Sequence, residues 1–337
     1  MKFPQNHIEQ LSKLLAEPKN IVIVTHRNPD GDALGSSLGW KFFLEKKGHQ
    51  ITFVTPNPYP ATLKWIPGTK YALNYEGEAA RKTANDKIKN GDIIFCLDFN
   101  AISRLETLGE AISSSTAFKI IIDHHRQPED FANLTFSDIT YCSTSEMIYD
   151  IILDFDETDK INREIAECLY TGLVMDNGFF QFSSTTPNAL RVGAELVAKG
   201  VKPEYISERV NNNFRENRLR YFGYCLHEKL KLVNGSQIAY MMLTQAEIKR
   251  FNLQSGESEG LVNYPFKIDG VKVSAYFSEE ADRVKISFRS RGQTDVNTFA
   301  RTYFEGGGHR NAAGGKSLLS LEATEKKFLE ALSSLKL

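Results

Sequence analysis

Within the seven residues His26 to Asp32 the sequence places one imidazole and two carboxylates, in Thr25-His26-Arg27-Asn28-Pro29-Asp30-Gly31-Asp32. The apolar run Ile21–Val24 precedes this segment, and Leu34, Leu38 and Phe42 follow it at helical spacing. The cluster therefore falls on a strand-to-helix turn, where open α/β sheets hold their ligands. Asn28-Pro29 and Asp30-Gly31 are turn dipeptides that let neighbouring side chains converge. Further along, Asp98 closes the apolar run Asp92–Leu97, and Asp123-His124-His125 closes Lys119–Ile122. Asp176-Asn177-Gly178 follows a helical pattern through Ile161, Ile165, Cys168, Leu169 and Leu173. Each residue alone has an ordinary reading: an aspartate caps a helix, a histidine sits hydrogen-bonded in a core. Together they do not, because clustered carboxylates repel one another and lose their hydration. A pair of divalent cations about 3.5–4 Å apart, with one bridging carboxylate and separate ligands on each side, resolves the conflict. The mixture of imidazole and carboxylate suits manganese, with magnesium, zinc and cobalt as the other ions open, and is too oxygen-rich for structural zinc.

The elements needed to position these groups are readable. Residues 5–17 carry Ile8, Leu11, Leu14 and Leu15 on one helical face, and Gly48 ends the helix that begins near Ala33. Ile51–Val54 is a strand, followed by a loop with Pro56, Pro58 and Pro60. Near-continuous apolar strands separated by helices predict a mostly parallel sheet flanked by helices. Ser143-Thr144-Ser145-Glu146 has the spacing of a capping box. Beyond Thr186-Pro187 the character changes, with helical patterns over 188–199 and 203–227. From about 229 strands recur at Ile238–Leu243, Val271–Phe277 and Arg283–Phe288; helices follow around Val296–Phe304 and from Leu321 onward. The expected architecture is an α/β domain over 1–187, a helical connector over 188–228, and a smaller α/β domain over 229–337, with the active site in the cleft between the domains.

The 337 residues are 41% hydrophobic and 25% charged, with a formal net charge of -1. That balance is ordinary for a globular protein and gives no general attraction for a long nucleic acid; a short oligonucleotide in a local pocket is compatible with it. The four scattered cysteines, Cys96, Cys142, Cys168 and Cys225, read as buried reduced thiols. No apolar stretch approaches a membrane span of about 20 residues, and the N-terminus lacks a signal-peptide core, so a cytoplasmic location is expected. Of the seven histidines, His7, His49 and His227 receive no role.

The order His26-x-Asn28-Pro29-Asp30-x-Asp32, then Asp98, then Asp123-His124-His125, then Asp176-Asn177-Gly178, resembles the DHH phosphoesterase superfamily. Gly306-Gly307-Gly308-His309-Arg310-Asn311-Ala312-Ala313-Gly314 resembles the glycine-rich motif of the DHH-associated domain, so the resemblance covers nearly the whole chain. Within the superfamily the arrangement is most similar to the bacterial nanoRNase/pAp phosphatase branch. The resemblance implies that His26 and Asp30 hold one metal and Asp32 and His124 the other, with Asp98 bridging and Asp176 completing the set. It implies that His125 touches the scissile phosphate and that Asp123 orients its neighbour. Gly307, Gly308 and His309, with Arg289 after a strand, are the expected substrate grip. The segment Asp176–Ser183 departs from the family in carrying Asn177 where threonine is common and Gln181 where a basic residue is common. Gln181 brings a hydrogen-bond donor without charge; Phe180 and Phe182 are candidates for stacking on bases.

The expected activity is hydrolysis of very short oligoribonucleotides to mononucleotides and of the 3′-phosphate of 3′-phosphoadenosine 5′-phosphate (pAp), with two manganese ions, or magnesium or cobalt in their place. The expected partners are short RNA and nucleotides, with no long nucleic acid and no membrane; oligomeric state is left open, a homodimer included. The alternatives are a phosphodiesterase of cyclic dinucleotides or their linear products, and, from another class, a catalytically silent nucleotide-binding regulator.

Overall fold

In the computed structural model, which describes residues 2–254 and 256–337, α1 (Gln5–Leu14) turns Ile8 and Leu11 inward. Strands and helices then alternate: β1 (Asn20–Thr25), α2 (Gly31–Lys46), β2 (Gln50–Thr55), β3 (Leu73–Asn74), α3 (Glu78–Lys89), β4 (Ile93–Leu97), α4 (Thr107–Ser114), β5 (Phe118–Asp123) and β6 (Leu134–Ser137). Four helices follow: α5 (Thr144–Asp154), α6 (Arg163–Asp176), α7 (Pro187–Ala198) and α8 (Pro203–Asn211). The strands form one sheet in the order β3-β2-β1-β4-β5-β6, and every pairing in it is parallel.

Such strands must be apolar on both faces, and they are. Ile21 and Ile23 of β1 join a core with α2, α5 and α6, while Val22 and Val24 join a second core with α3 and α4. The short strands Leu73–Asn74 and Leu134–Ser137 were not expected; neither has a long apolar run to announce it.

Helix α2 is buried nearly all round, the signature of a helix inside the core rather than on its surface. It can be so because its glycines admit α6 at backbone distance. A Cβ on Gly35 would lie 2.5 Å from the Cys168 carbonyl oxygen and 2.8 Å from the Gly172 nitrogen. One on Gly31 would lie 2.2 Å from Met175 Sδ, and one on Gly39 2.6 Å from Leu169 Cδ2. These contacts run antiparallel, so the start of α2, with Asp30 and Asp32, meets the end of α6, with Asp176.

The chain divides into two units between Asn213 and Phe214. The helices expected as a connector are shared between them: α7 and α8 belong to the first unit, and Ala189, Val192, Leu196 and Ile206 enter its core. The second unit opens with α9 (Glu216–Tyr224), then β7 (Lys231–Val233), β8 (Ile238–Leu243), α10 (Gln245–Arg250), β9 (Val273–Glu279), β10 (Val284–Ser290), α11 (Val296–Tyr303), β11 (Gly307–His309), β12 (Ala312–Ser317) and α12 (Leu321–Ala331). Its sheet runs β11-β12-β10-β9-β8-β7, with β8 and β9 parallel and the other pairs antiparallel. Phe277 and Phe288 face α11 and α12 through Phe299 and Phe328; Met241, Leu243 and Tyr276 face α9 through Tyr221 and Phe222. The glycine-rich strands β11 and β12 were not expected as strands, since they lack the apolar alternation that marks one. All four cysteines are buried, and no helix among the described residues is long and apolar enough to cross a membrane.

Candidate active site

In the first sheet the strand order reverses between β1 and β4, and the groups that can do chemistry lie just past the carboxyl ends of β1, β4 and β5. This is the switch point at which open α/β sheets form a crevice.

Asp30 satisfies both readings that the sequence allowed, one with each oxygen. Its Oδ1 accepts from the backbone N–H groups of Asp32 (3.1 Å) and Ala33 (3.0 Å), capping α2. Its Oδ2 lies 3.9 Å from His26 Nε2. The loop before it is fixed by a reciprocal pair: Asn57 Oδ1 accepts from the Asn28 N–H (2.6 Å), and Asn57 Nδ2 donates to Asn28 Oδ1 (2.9 Å).

Asp98 is the hub. His26 Nε2 lies 3.4 Å from its Oδ2 and His124 Nε2 3.4 Å from its Oδ1. His124 Nε2 also lies 3.2 Å from Asp176 Oδ2 and 3.9 Å from Asp32 Oδ2. Two donor groups, His26/Asp30/Asp98 and Asp32/Asp98/His124, each gather their ligand atoms within 4.8 Å, and they share Asp98. Ligands octahedrally placed about 2.1 Å from a cation stand about 3 Å apart, which is the scale of these spacings.

The histidine tautomers fit a metal as well. His26 Nδ1 is 2.8 Å from the Arg27 carbonyl and His124 Nδ1 is 3.2 Å from the Tyr141 carbonyl. A carbonyl only accepts, so both protons sit on Nδ1, and both Nε2 atoms turn to the carboxylates with a lone pair or a second proton. The donor set therefore fits two divalent cations.

The electrostatics make the same demand for positive charge. Burial, then the charges of Asp98 and Asp176, push the Asp32 carboxyl well above the usual range. The protein packed around Asp176, against the pull of His124 and with the push of Asp30 and Asp98, raises it to about 6. Burial would raise Asp98 too, but bonds from His124 and His26 hold it well below the carboxylate range. Burial opposes charge on His124, yet Asp98 and Asp176 raise it well above an ordinary histidine. His26 is raised for the same reason, burial being outweighed by Asp98 and Asp30.

Asp32 is seated at the start of α5. Its Oδ2 accepts from the Thr144 N–H (2.6 Å) and its Oδ1 from the Ser145 N–H (3.0 Å). Thr144 Oγ1 donates to Asp98 Oδ1 (2.9 Å). The capping residue is Ser143, whose Oγ accepts from the Glu146 N–H (3.0 Å), while Glu146 Oε2 accepts from the Cys142 N–H (3.0 Å). Gly172 leaves the room: a Cβ there would lie 2.6 Å from Asp32 Oδ1.

Beside the cluster, His125 is clamped by Asp123, which is fully buried. Asp123 Oδ1 is 2.7 Å from His125 Nδ1, and Asp123 Oδ2 accepts from the His125 N–H (2.9 Å).

After Asp176 the backbone passes through three consecutive left-handed residues, Gly178 (φ 62), Phe179 (φ 57) and Phe180 (φ 63), a costly conformation for the two phenylalanines. Asn177 Oδ1 holds the turn by accepting from the Phe180 N–H (2.8 Å). Phe180 packs on the first unit's core, so core packing claims that ring. Phe182 is 45% exposed, and its ring lies over Gly178, where a Cβ would be 2.6 Å away. Gln181 is exposed on the same turn and is absent from the donor groups around Asp98.

In the second unit, Ala312 of β12 pairs with Arg289 of β10 on one side and with His309 of β11 on the other. Residues directly opposite in register share a face, so Arg289 and His309 flank a small side chain in one row, about 10 Å apart across two strand spacings. The glycines serve the hairpin first. A Cβ on Gly306 would lie 2.0 Å from the Gly314 carbonyl oxygen, and one on Gly308 (φ +143) 2.5 Å from that of Ala312. Gly307 instead faces the Arg301 guanidinium, 3.3 Å from where its Cβ would be.

Eight of the expected residues of the first unit, His26, Asp30, Asp32, Asp98, Asp123, His124, His125 and Asp176, come together, while Gln181 does not join them. In the second unit Arg289 and His309 lie in one row on either side of Ala312, with Gly307 and Gly308 on the strand of His309. Thr144, Ser145, Gly172, Asn57, Ala312 and Arg301 were not singled out for the site. Ala312 lay inside the glycine-rich motif, and Thr144 and Ser145 carried the signal of a helix start, which concealed their second task.

Residues 20–173 match the DHH family, N-terminal domain, and residues 235–335 match the DHHA1 domain. A Thermus thermophilus protein named bifunctional oligoribonuclease and PAP phosphatase NrnA is 31% identical over 316 residues, 93% of this chain and 89% of that protein. The Bacillus subtilis protein of the same name is 28% identical over 310 residues, 90% of this chain and 91% of that protein. The crystal structure of an exopolyphosphatase-related protein from Bacteroides fragilis superposes with a TM-score of 0.94 at 38% identity, covering 99% of this chain and 98% of that one.

Proposed function

The chain belongs to the DHH family, and from that premise we propose that it hydrolyses phosphate esters of very short substrates. These are oligoribonucleotides of a few residues, cleaved to mononucleotides, and pAp, which loses its 3′-phosphate to give AMP. The observation that supports this most is the sharing of Asp98 between two donor groups whose members are held at ligand spacing.

His26 and Asp30 would hold one divalent cation, Asp32 and His124 the other, with Asp98 between them and Asp176 completing the set. Two cations, manganese first and magnesium or cobalt otherwise, would activate a water and offset charge building on the phosphoryl oxygens. The chain's own residues do the rest. His125, its Nδ1 tied to Asp123, would meet a phosphate oxygen through Nε2 and hold or deliver a proton there. Asp123 would fix the ring's orientation. Arg289, with a fork suited to phosphate, and His309 flank Ala312 as a grip for a substrate phosphate, with Gly307 and Gly308 leaving the part of β11 that leads into His309 free of side chains, so that its backbone N–H groups can approach a phosphate. Gln181 would add an uncharged donor, and the exposed Phe182 a face for a base.

The near-neutral charge of -1 favours small substrates over long polymers. The test is a panel of a ribodinucleotide, pAp and a cyclic dinucleotide incubated with the full chain and manganese, with Asp98→Ala as control. Mononucleotides from the first and AMP from the second are expected, and neither from the variant. If both substrates survive intact in the unmodified protein, the reading fails; if they bind without turnover, a regulator replaces it.

A further inference from the structure

Asp98 stands in a conformation that costs energy. Its φ is +64, in the left-handed region that a residue with a Cβ enters only when its surroundings enforce it. The residue is 2% exposed. The backbone is held by the Asp98 N–H, which donates to the Ile122 carbonyl (3.1 Å). The carboxylate is held from another direction by Thr144, which is fully buried. The Thr144 Oγ1–Asp98 Oδ1 distance of 2.9 Å is shorter than the approaches of His26 and His124 to that carboxylate, both 3.4 Å, and of His125, 3.9 Å. The same residue's N–H reaches Asp32 Oδ2 at 2.6 Å. Thr144 thus touches one carboxylate of the second donor group through its backbone and the shared carboxylate through its hydroxyl.

Each carboxylate oxygen carries two in-plane lone pairs. A hydroxyl that occupies one of them on Asp98 Oδ1 decides where the other points. The β-branched side chain has few rotamers to choose from, so the donor is fixed once α5 is in place. Resting on the two-metal reading of the site, we infer that Thr144 is a positioning residue. It sets the orientation of Asp98 and ties it to Asp32, so that the two donor groups form one preorganised centre. It contacts neither substrate nor reacting atoms.

The variant Thr144→Val keeps shape and the N–H to Asp32 but removes the hydroxyl; Thr144→Ser keeps the hydroxyl. The full chain, stripped by chelation and titrated with Mn2+, is followed by calorimetry and by the electron paramagnetic resonance signal of free Mn2+. Orienting groups behind metal ligands are worth about 10–100-fold in affinity. The expected result is a loss of about that size for Thr144→Val, affinity within about threefold of the unmodified protein for Thr144→Ser, and circular dichroism unchanged in both. A purely structural role would lower the metal-free melting temperature and leave the Mn2+ affinity alone; that result, or equal weakening in both variants, overturns the inference. If Thr144→Val does not fold, Thr144→Ala removes the hydroxyl without a methyl to clash and carries the same expectation. If the unmodified protein takes up no Mn2+, the metal reading itself falls; if it binds two ions and the hydroxyl-free variant binds them as tightly, only the positioning inference falls.

Discussion

Asp123 grips His125 twice, through the imidazole at 2.7 Å and through the backbone N–H at 2.9 Å. A fully buried carboxylate that accepts from Nδ1 fixes both the ring plane and the tautomer. Asp123→Asn is expected to lower kcat on a ribodinucleotide about 10–100-fold while KM and Mn2+ uptake stay near their unmodified values. Steady-state kinetics beside a metal titration checks it. An unchanged kcat would take His125 out of the role proposed for it.

Metal removal should destabilise the first unit. Asp32, Asp98 and Asp176 crowd His124 within 3.9 Å, and cations relieve their mutual repulsion. A ligand that binds only the folded state at about 100 times its Kd stabilises by about 2.7 kcal/mol. Calorimetric scans with chelator and with Mn2+ should therefore differ, and Asp98→Ala should erase most of that difference.

The glycine stripe of α2 sets the distance between Asp30, Asp32 and Asp176. Gly35→Ala would press a methyl to 2.5 Å from the Cys168 carbonyl oxygen, and overpacking of this kind costs about 1–3 kcal/mol. We expect weaker Mn2+ binding as well, because moving α6 moves Asp176. Gly48→Ala is the contrast: with φ +91 and nothing within 4 Å, it should cost stability through backbone strain alone and leave the metal titration unchanged.

Acid should loosen the second unit through Glu247. Burial would raise this carboxyl, but Lys229, the Thr244 N–H and the Tyr224 hydroxyl lower it from 4.5 to about 2. A carboxylate depressed in the folded state contributes stability above its unfolded value and loses it as pH falls through the folded one. Stability should thus fall between about pH 4.5 and 2, and Glu247→Gln should flatten that limb. Urea titrations of the full chain at pH 5, 4 and 3, read by hydrogen exchange in β8 and α10, measure it.

The sequence alone determined the chemistry and its local frame. His26, Asp98, Asp123, His124 and His125 end or directly follow an apolar strand, and Asp30 and Asp32 sit on the turn from β1 into α2, so a parallel sheet delivers them to one edge by covalent adjacency; Asp176 ends a helix whose pattern was equally clear. What the tertiary structure decided involves partners far apart in the chain. Thr144 and Ser145 read as a helix start, and only the packing of α5 against the sheet turns their donors onto Asp32 and Asp98, 112 and 46 residues away. Gly31, Gly35, Gly39 and Gly172 look permissive one at a time; their purpose exists only where α2 meets α6. The run Gly306–His309 carries no apolar alternation, so its pairing with β12, and the row Arg289–Ala312–His309, waited on the register of strands. Spacing along the chain encodes which side chains share a turn or a face. Which backbones approach closely enough to need glycine, and which donor meets which carboxylate, is set by many weak contacts acting together.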